Sequence, residues 1–193
     1  MSNSSAPGDS NHPIPFGYKC AWFAIKTEQP EALISLFPRY TFKPASWQQG
    51  HNESRFITPV VEGWTFIIGG DLPTTDTQEG IKEIEALLIR ASTLGKACFF
   101  GSHRGVDYYS WACAENGKLL RGYSEADGEF LWDAGEKQGL EKTFVFPQEA
   151  ENNPKSLHQD FPDEDMVIAI AADWSLDPTT LDRFTTTGNG YLS

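Results

Sequence analysis

From Asp107 to Ala114 the chain reads DYYSWACA, Lys118 to Ser124 reads KLLRGYS, and Glu115-Asn116-Gly117 stands between them. Asn and Gly both accept positive φ, the condition for a tight hairpin loop whose twist matches that of the strands it joins. This hairpin commits the second half of the chain to an antiparallel sheet. Ala97 to Phe100 is a short apolar strand ahead of it. Beyond Ala126-Asp127-Gly128, the segments Phe130-Leu131-Trp132 and Lys142 to Phe146 are expected to extend the meander.

The first half offers the same grammar. Gly17 to Ile25 (GYKCAWFAI) is aromatic enough for a buried strand. Arg55 to Val61 and Trp64 to Gly69 flank Glu62-Gly63, a second hairpin turn. Helices are expected over Glu28 to Phe37, with Thr27 as cap, Pro30 in the first turn and Pro38 as the stop. A longer one is expected over Gln78 to Leu94, where Ile81, Ile84, Leu88 and Ala91 form a stripe. A third spans Asp165 to Asp173, followed by a short turn from Asp177-Pro178 to Phe184. Residues 39–55 and 148–162 read as polar connections. The fold class is α+β: a mostly antiparallel twisted sheet with about three helices packed on one face of it. Residues 1–15 read as a disordered leader, 16–184 as one domain, and 185–193 as a flexible tail.

Charge bounds the partners. The formal net charge is -12, which repels a nucleic-acid backbone or an anionic membrane and attracts a basic protein. No apolar run reaches the length of a membrane span, and residues 1–15 carry no secretory pattern. Cys20, Cys98 and Cys113 are odd in number, widely spaced and set among apolar neighbours, as expected of free thiols in a reducing, cytoplasmic compartment. No CxxC or HxxxH spacing exists, and neither a metal nor a cofactor is expected.

One stretch concentrates reactive side chains. Phe99 to Trp111 places Ser102, His103, Arg104, Asp107, Tyr108 and Tyr109 between two strands. His103 has the chemistry of a general acid or base and Arg104 that of an anion anchor, with Asp107 and Tyr109 beside them. The plainer reading is a loop in which Arg104 pairs with Asp107 and His103 bonds to backbone. Gly69-Gly70-Asp71 lacks GxGxxG and GK[ST] and reads as a turn, not a phosphate cradle. Asp160, Asp163, Glu164 and Asp165 suit a helix start, where carboxylates complement the macrodipole. Alternatively they form a landing patch for a basic partner. Trp22, Trp64, Trp111 and Trp174 fall in periodic segments and belong to the core. Trp47, beside Gln48 and Gln49, is either an exposed anchor for a partner or a core residue at the sheet edge.

Several phrases together resemble a widespread set of uncharacterised bacterial proteins: Ala21-Trp22-Phe23-Ala24, Glu62-Gly63-Trp64, Phe100-Gly101-Ser102-His103-Arg104, Tyr108-Tyr109-Ser110-Trp111-Ala112, Arg121-Gly122-Tyr123 and Ala171-Ala172-Asp173-Trp174-Ser175. The resemblance covers about residues 18 to 180. It implies a bacterial, cytosolic single domain and transfers no functional residue. Small size, acidity and the lack of an assembled motif lead to the expectation of a non-catalytic protein-binding protein. An immunity protein that masks the active site of a basic toxin or effector fits, with Trp47, Ser102, His103, Arg104, Asp160, Asp163 and Glu164 at the contact. The alternative is a small hydrolase-like enzyme centred on His103, Arg104, Asp107 and Tyr109.

Overall fold

Asn116 and Gly117 take φ of 52° and 74°, as the hairpin requires, and Glu62-Gly63 and Asp127-Gly128 repeat that left-handed pair. The computed structural model describes residues 11–147 and 159–193. Strands β1 (Ala21–Ile25), β2 (Lys43–Ala45), β3 (Phe56–Ile57), β4 (Val60–Val61) and β5 (Thr65–Ile68) occupy the first half, with helix α1 (Trp47–Gly50) after β2. Helix α2 (Gln78–Ala91) precedes β6 (Ala97–His103), β7 (Tyr108–Glu115), β8 (Lys118–Ala126) and β9 (Glu129–Gly135). Helix α3 (Glu164–Trp174) and the short strands β10 (Thr186–Thr187) and β11 (Gly190–Leu192) close the chain.

Nine strands form one sheet in the order β2-β11-β3-β5-β1-β6-β7-β8-β9, and β10 pairs with β4 separately. Every pairing is antiparallel. The result is a single α+β domain.

Alternation along the central strands splits the core in two. Trp22, Ala24, Phe66, Cys98, Phe100, Trp111 and Cys113 point to one face. Phe23, Ile25, Ile67, Ala97, Phe99, Ala112 and Ala114 point to the other. Helix α2, with Ile84, Leu87, Leu88 and Ala91, and the 3₁₀ segment Pro30–Leu36 cover the second face. Helix α3, with Val167, Ile170, Ala171 and Trp174, covers the first. Helices therefore lie on both faces, not one. A strand buried on both sides reads as a continuous apolar run and gives no hint of which side a helix will take.

A fully buried pair closes one end of the first core. Glu141 accepts from Arg121 Nε at 2.8 Å and from Trp111 Nε1 at 2.9 Å, and Arg121 also pairs with Asp133. Trp111 stacks on Tyr123 at 4.2 Å with the rings 6° from parallel. A buried carboxylate is tolerable only when paired and hydrogen-bonded in this way. That demand overturns the expected strand at Lys142 to Phe146. The chain instead makes a 3₁₀ turn over Gly139–Thr143 that carries Glu141 inward.

Three other expectations are corrected. Residues 28–37 form a 3₁₀ segment, Pro30–Leu36, and not an α-helix. The Gln29 N–H bonds to Thr27 Oγ1, and the Ala32 and Phe37 N–H groups bond three residues back, to the Gln29 and Ile34 carbonyls. Residues 185–193 are not a loose tail. Tyr191 and Leu192 pair with Pro44 and Lys43 on one side and with Ile57 and Phe56 on the other. Gly190 is needed there, since a Cβ would come within 2.6 Å of the Phe56 ring. Part of the expected leader is docked as well: Asn11 donates to the Gly188 carbonyl at 3.0 Å, and Ile14 packs against the first core beside Phe16. Residues 1–10 of that leader, and 148–158 of the polar connection, lie outside the described residues.

Candidate functional site

Strand β6 ends at His103, a single 3₁₀ turn over Arg104–Val106 follows, and Asp107 takes φ of 42° to re-enter the sheet as β7. A short polar residue such as Asp tolerates this left-handed conformation best after glycine and asparagine. Beside this loop lies the start of α3, capped by the Asp163 carboxylate, which accepts from the Met166 N–H at 2.7 Å. The helix-start reading thus holds for Asp163.

Glu164 does something else. Its side chain turns inward, and the residue is only 8% exposed. Oε1 accepts from the Ser102 hydroxyl at 3.2 Å and from the Lys19 N–H at 3.0 Å, while Oε2 lies 3.6 Å from Arg104 Nε. Arg104 therefore pairs with Glu164 and not with Asp107. Two segments that seemed separate in the sequence, 101–107 and 163–165, form one wall. Lys19 holds φ of 53° at the same joint.

Around this wall runs an acidic groove of about 500 Å³, lined by Tyr18, Lys19, Arg104, Tyr109, Asp163, Glu164 and Asp165. The Tyr18 hydroxyl donates to Asp165 Oδ1 at 3.1 Å. That bond, then burial and the charges of Asp165, Asp177 and Glu164, raises the Tyr18 phenol above its ordinary value. Burial, then the carboxylates of Asp107, Glu164, Asp163 and Glu125, raises Tyr109 likewise. Both tyrosines sit in a concentrated negative field. Of the large apolar side chains that stay exposed, Tyr18 lines the groove, Val106 belongs to the 101–107 loop and Phe161 stands two residues before the Asp163 cap.

Lys19 also borders a second hollow, a cleft of about 450 Å³ with an apolar floor that includes Phe16, Cys20 and Leu72. Ser102, His103 and Tyr108 reach it from β6 and β7, and His51 and Glu53 from the segment after α1. The Gly69-Gly70 turn forms one side. Gly69 lies on the Ser54–Arg55 backbone, where a Cβ would meet the Ser54 carbonyl at 2.2 Å, so the plain reading as a turn stands. Burial pushes the Cys20 thiol up to about 11, which removes it as a nucleophile near neutral pH.

The other residues named from the sequence fall differently. Trp47 is fully buried, its ring edge-on to Phe56 at 5.8 Å, and presents no surface to a partner. The capping box of α1, in which Gln49 accepts from the Ser46 N–H at 2.9 Å, turns the tryptophan inward. Asp160 is tied to the Val145 backbone in both directions at 2.8 Å. His103 and Asp107 are exposed. Their side chains enter no hydrogen bond or ion pair among the described residues, so no base is set against Ser102, whose partner is Glu164. Tyr18, Lys19, His51, Glu53 and Glu125 were not singled out from the sequence, because no local motif contains them.

Comparison with protein-family models, with curated proteins and with solved structures returned no match. Among the described residues no helix is long and apolar enough to cross a membrane, and no group of three or more His, Cys, Asp or Glu is placed to hold a metal ion.

Proposed function

We propose that this chain is a non-catalytic protein-binding protein that seats a basic segment of its partner in the acidic tyrosine groove. The reading is of the immunity type: the partner is a basic toxin or effector whose active site is masked in the complex. One observation carries it. The carboxylates of Asp163, Glu164 and Asp165 line the groove beside Tyr18 and Tyr109, and Glu125 stands opposite Tyr109 on the neighbouring strand. Carboxylates at the rim attract lysine and arginine side chains, and tyrosine rings add apolar area at low entropic cost. The whole-chain charge of -12 steers the encounter in the same sense.

The test is capture from the native host with paired charge reversals. Glu125→Lys with Asp165→Lys changes the groove, and Glu79→Lys with Glu83→Lys changes α2 by the same net charge. The expected result is a partner retained by the wild-type chain and the α2 variant and lost by the groove variant. Its association rate should fall by roughly tenfold or more as salt is raised from low to physiological strength. A partner lost equally by both variants, or no partner, defeats the proposal.

A further inference from the structure

The acidic groove leaves the neighbouring cleft unexplained. Lys19, His51, Glu53 and His103 border it, and their side chains make no hydrogen bond or ion pair among the described residues. The His51 Nδ1 is out of contact with solvent and has no hydrogen-bond partner, an unfavourable state for a polar atom. Lys19 is held in the left-handed region by the bond from its N–H to Glu164. Such a conformation persists in a lysine only when its surroundings enforce it.

The floor beneath these groups is apolar, with Phe16, Cys20, Ala21, Ile68 and Leu72. A volume of about 450 Å³ suits a small molecule. One lysine and two imidazoles oppose a single carboxylate at the rim. In a chain of charge -12, a rim with one lysine for its one carboxylate and two imidazoles beside them is rich in hydrogen-bond donors.

We infer that this cleft is a binding site for a small amphipathic carboxylate, whose apolar body rests on Ile68 and Leu72 and whose anionic head is held by Lys19, His51 and His103. The inference stands on the cleft; Lys19 borders the groove as well, and Gly70, which lines the cleft and not the groove, keeps the two readings apart.

Hexanoate is the probe, with hexanol and hexylamine as controls of equal length. Binding to the full chain is read by the imidazole NMR signals of the histidines. Hexanoate is expected to move the His51 and His103 signals and leave His12 unchanged. Lys19→Gln should weaken it by about tenfold, the effect of losing one charge-assisted hydrogen bond. Gly70→Trp supplies a blocking variant, because a Cβ at Gly70 meets nothing within 4 Å and the turn accepts it without strain. It should abolish hexanoate binding at unchanged melting temperature. Equal affinity for hexanol, preference for hexylamine, or no response of His51 and His103 to hexanoate would each overturn the inference. Unaltered hexanoate binding by a folded Gly70→Trp chain would also overturn it.

Discussion

Ser102 and Glu164 are 62 residues apart in the chain and joined by a hydrogen bond of 3.2 Å. Glu164 also accepts the Lys19 N–H, so one carboxylate ties the end of β6, the approach to β1 and the start of α3 together. Glu164→Ala leaves the Ser102 hydroxyl buried without its acceptor and frees Lys19 from its left-handed turn. The expected cost is about 1–3 kcal/mol in urea unfolding. Arg104→Ala, which removes a side chain 66% exposed, is expected to cost at most about 1 kcal/mol. Equal losses in the two variants would show that the surface ion pair, and not the buried hydrogen bonds, secures the joint.

Removing one partner of the Arg121–Glu141 pair strands the other in the core. Glu141→Leu is expected to destabilise the chain by about 3–5 kcal/mol, since Arg121 keeps the Ala134 carbonyl and, as its charged partner, Asp133, which is largely exposed. The same variant removes the acceptor of Trp111 Nε1, so tryptophan fluorescence should change in the folded state. Equilibrium unfolding followed at two wavelengths reads both effects. A loss under about 1 kcal/mol means that water reaches Arg121 once Glu141 is gone.

Trp47→Ala distinguishes a core role from a contact role. Loss of a fully buried indole is expected to cost about 3–5 kcal/mol. At a temperature where the variant remains folded, partner capture should be unchanged. Loss of capture by a folded Trp47→Ala chain would return this residue to the interface.

The register of β11 is tested at Gly190. A side chain there collides with Phe56, so Gly190→Val is expected to cost about 1–3 kcal/mol by overpacking. Gly63→Ala, at φ of 77° with open space around its Cβ, measures backbone strain without collision. Faster amide exchange confined to Gly190–Leu192 and its neighbours in β2 and β3 is the signature expected of the first variant and absent from the second.

Alkaline pH should unfold the protein early. Burial raises Cys20 and Cys113 from 9.0 to about 11, and it also raises Cys98, Tyr108 and Tyr123. These acids ionise first in the unfolded chain, so their contribution is fully present below about pH 9 and declines as pH rises toward and through 11. Melting temperature measured from pH 8 to 11 should fall steadily. The Cys20 thiol should react slowly with iodoacetamide at pH 8 and faster as pH approaches 11. A flat profile to pH 11 would place these groups in a wetter interior.

Much of the sheet was legible because its information is local. The pairs Glu62-Gly63 and Asn116-Gly117 announce turns that form as expected, and the Ile81, Ile84, Leu88 and Ala91 stripe becomes the buried face of α2. Elements with distant causes were not legible. Gly139–Thr143 is shaped by Arg121 and Trp111 reaching for Glu141, and nothing within the segment announces that. Residues 186–192 contain no apolar alternation; Thr186 and Thr187 pair with β4, and Gly190–Leu192 are ordered by backbone bonds to strands on each side. The site shows the same division. Arg104 and Glu164 each drew notice within a local pattern, but their meeting depends on where the end of β6 falls relative to α3. Lys19 reaches the cleft from the approach to β1, and His51 and Glu53 from the segment after α1, and no spacing rule connects the two.

Strand β11 fills the space between β2 and β3, two strands encoded near the opposite end of the sequence. Bringing these pieces together closes a very long loop, and that entropy must be spent before any contact repays it. The meander of β6 to β9 needs only neighbouring hairpins. Folding is therefore expected to begin in the meander and to finish at this far edge, with amides of Gly190–Leu192 protected later than those of β7 and β8 in a pulse-labelling experiment. Until that last step, the gap between β2 and β3 stays open to any extended peptide, which makes it the place where a slow-folding chain of this kind meets its neighbours.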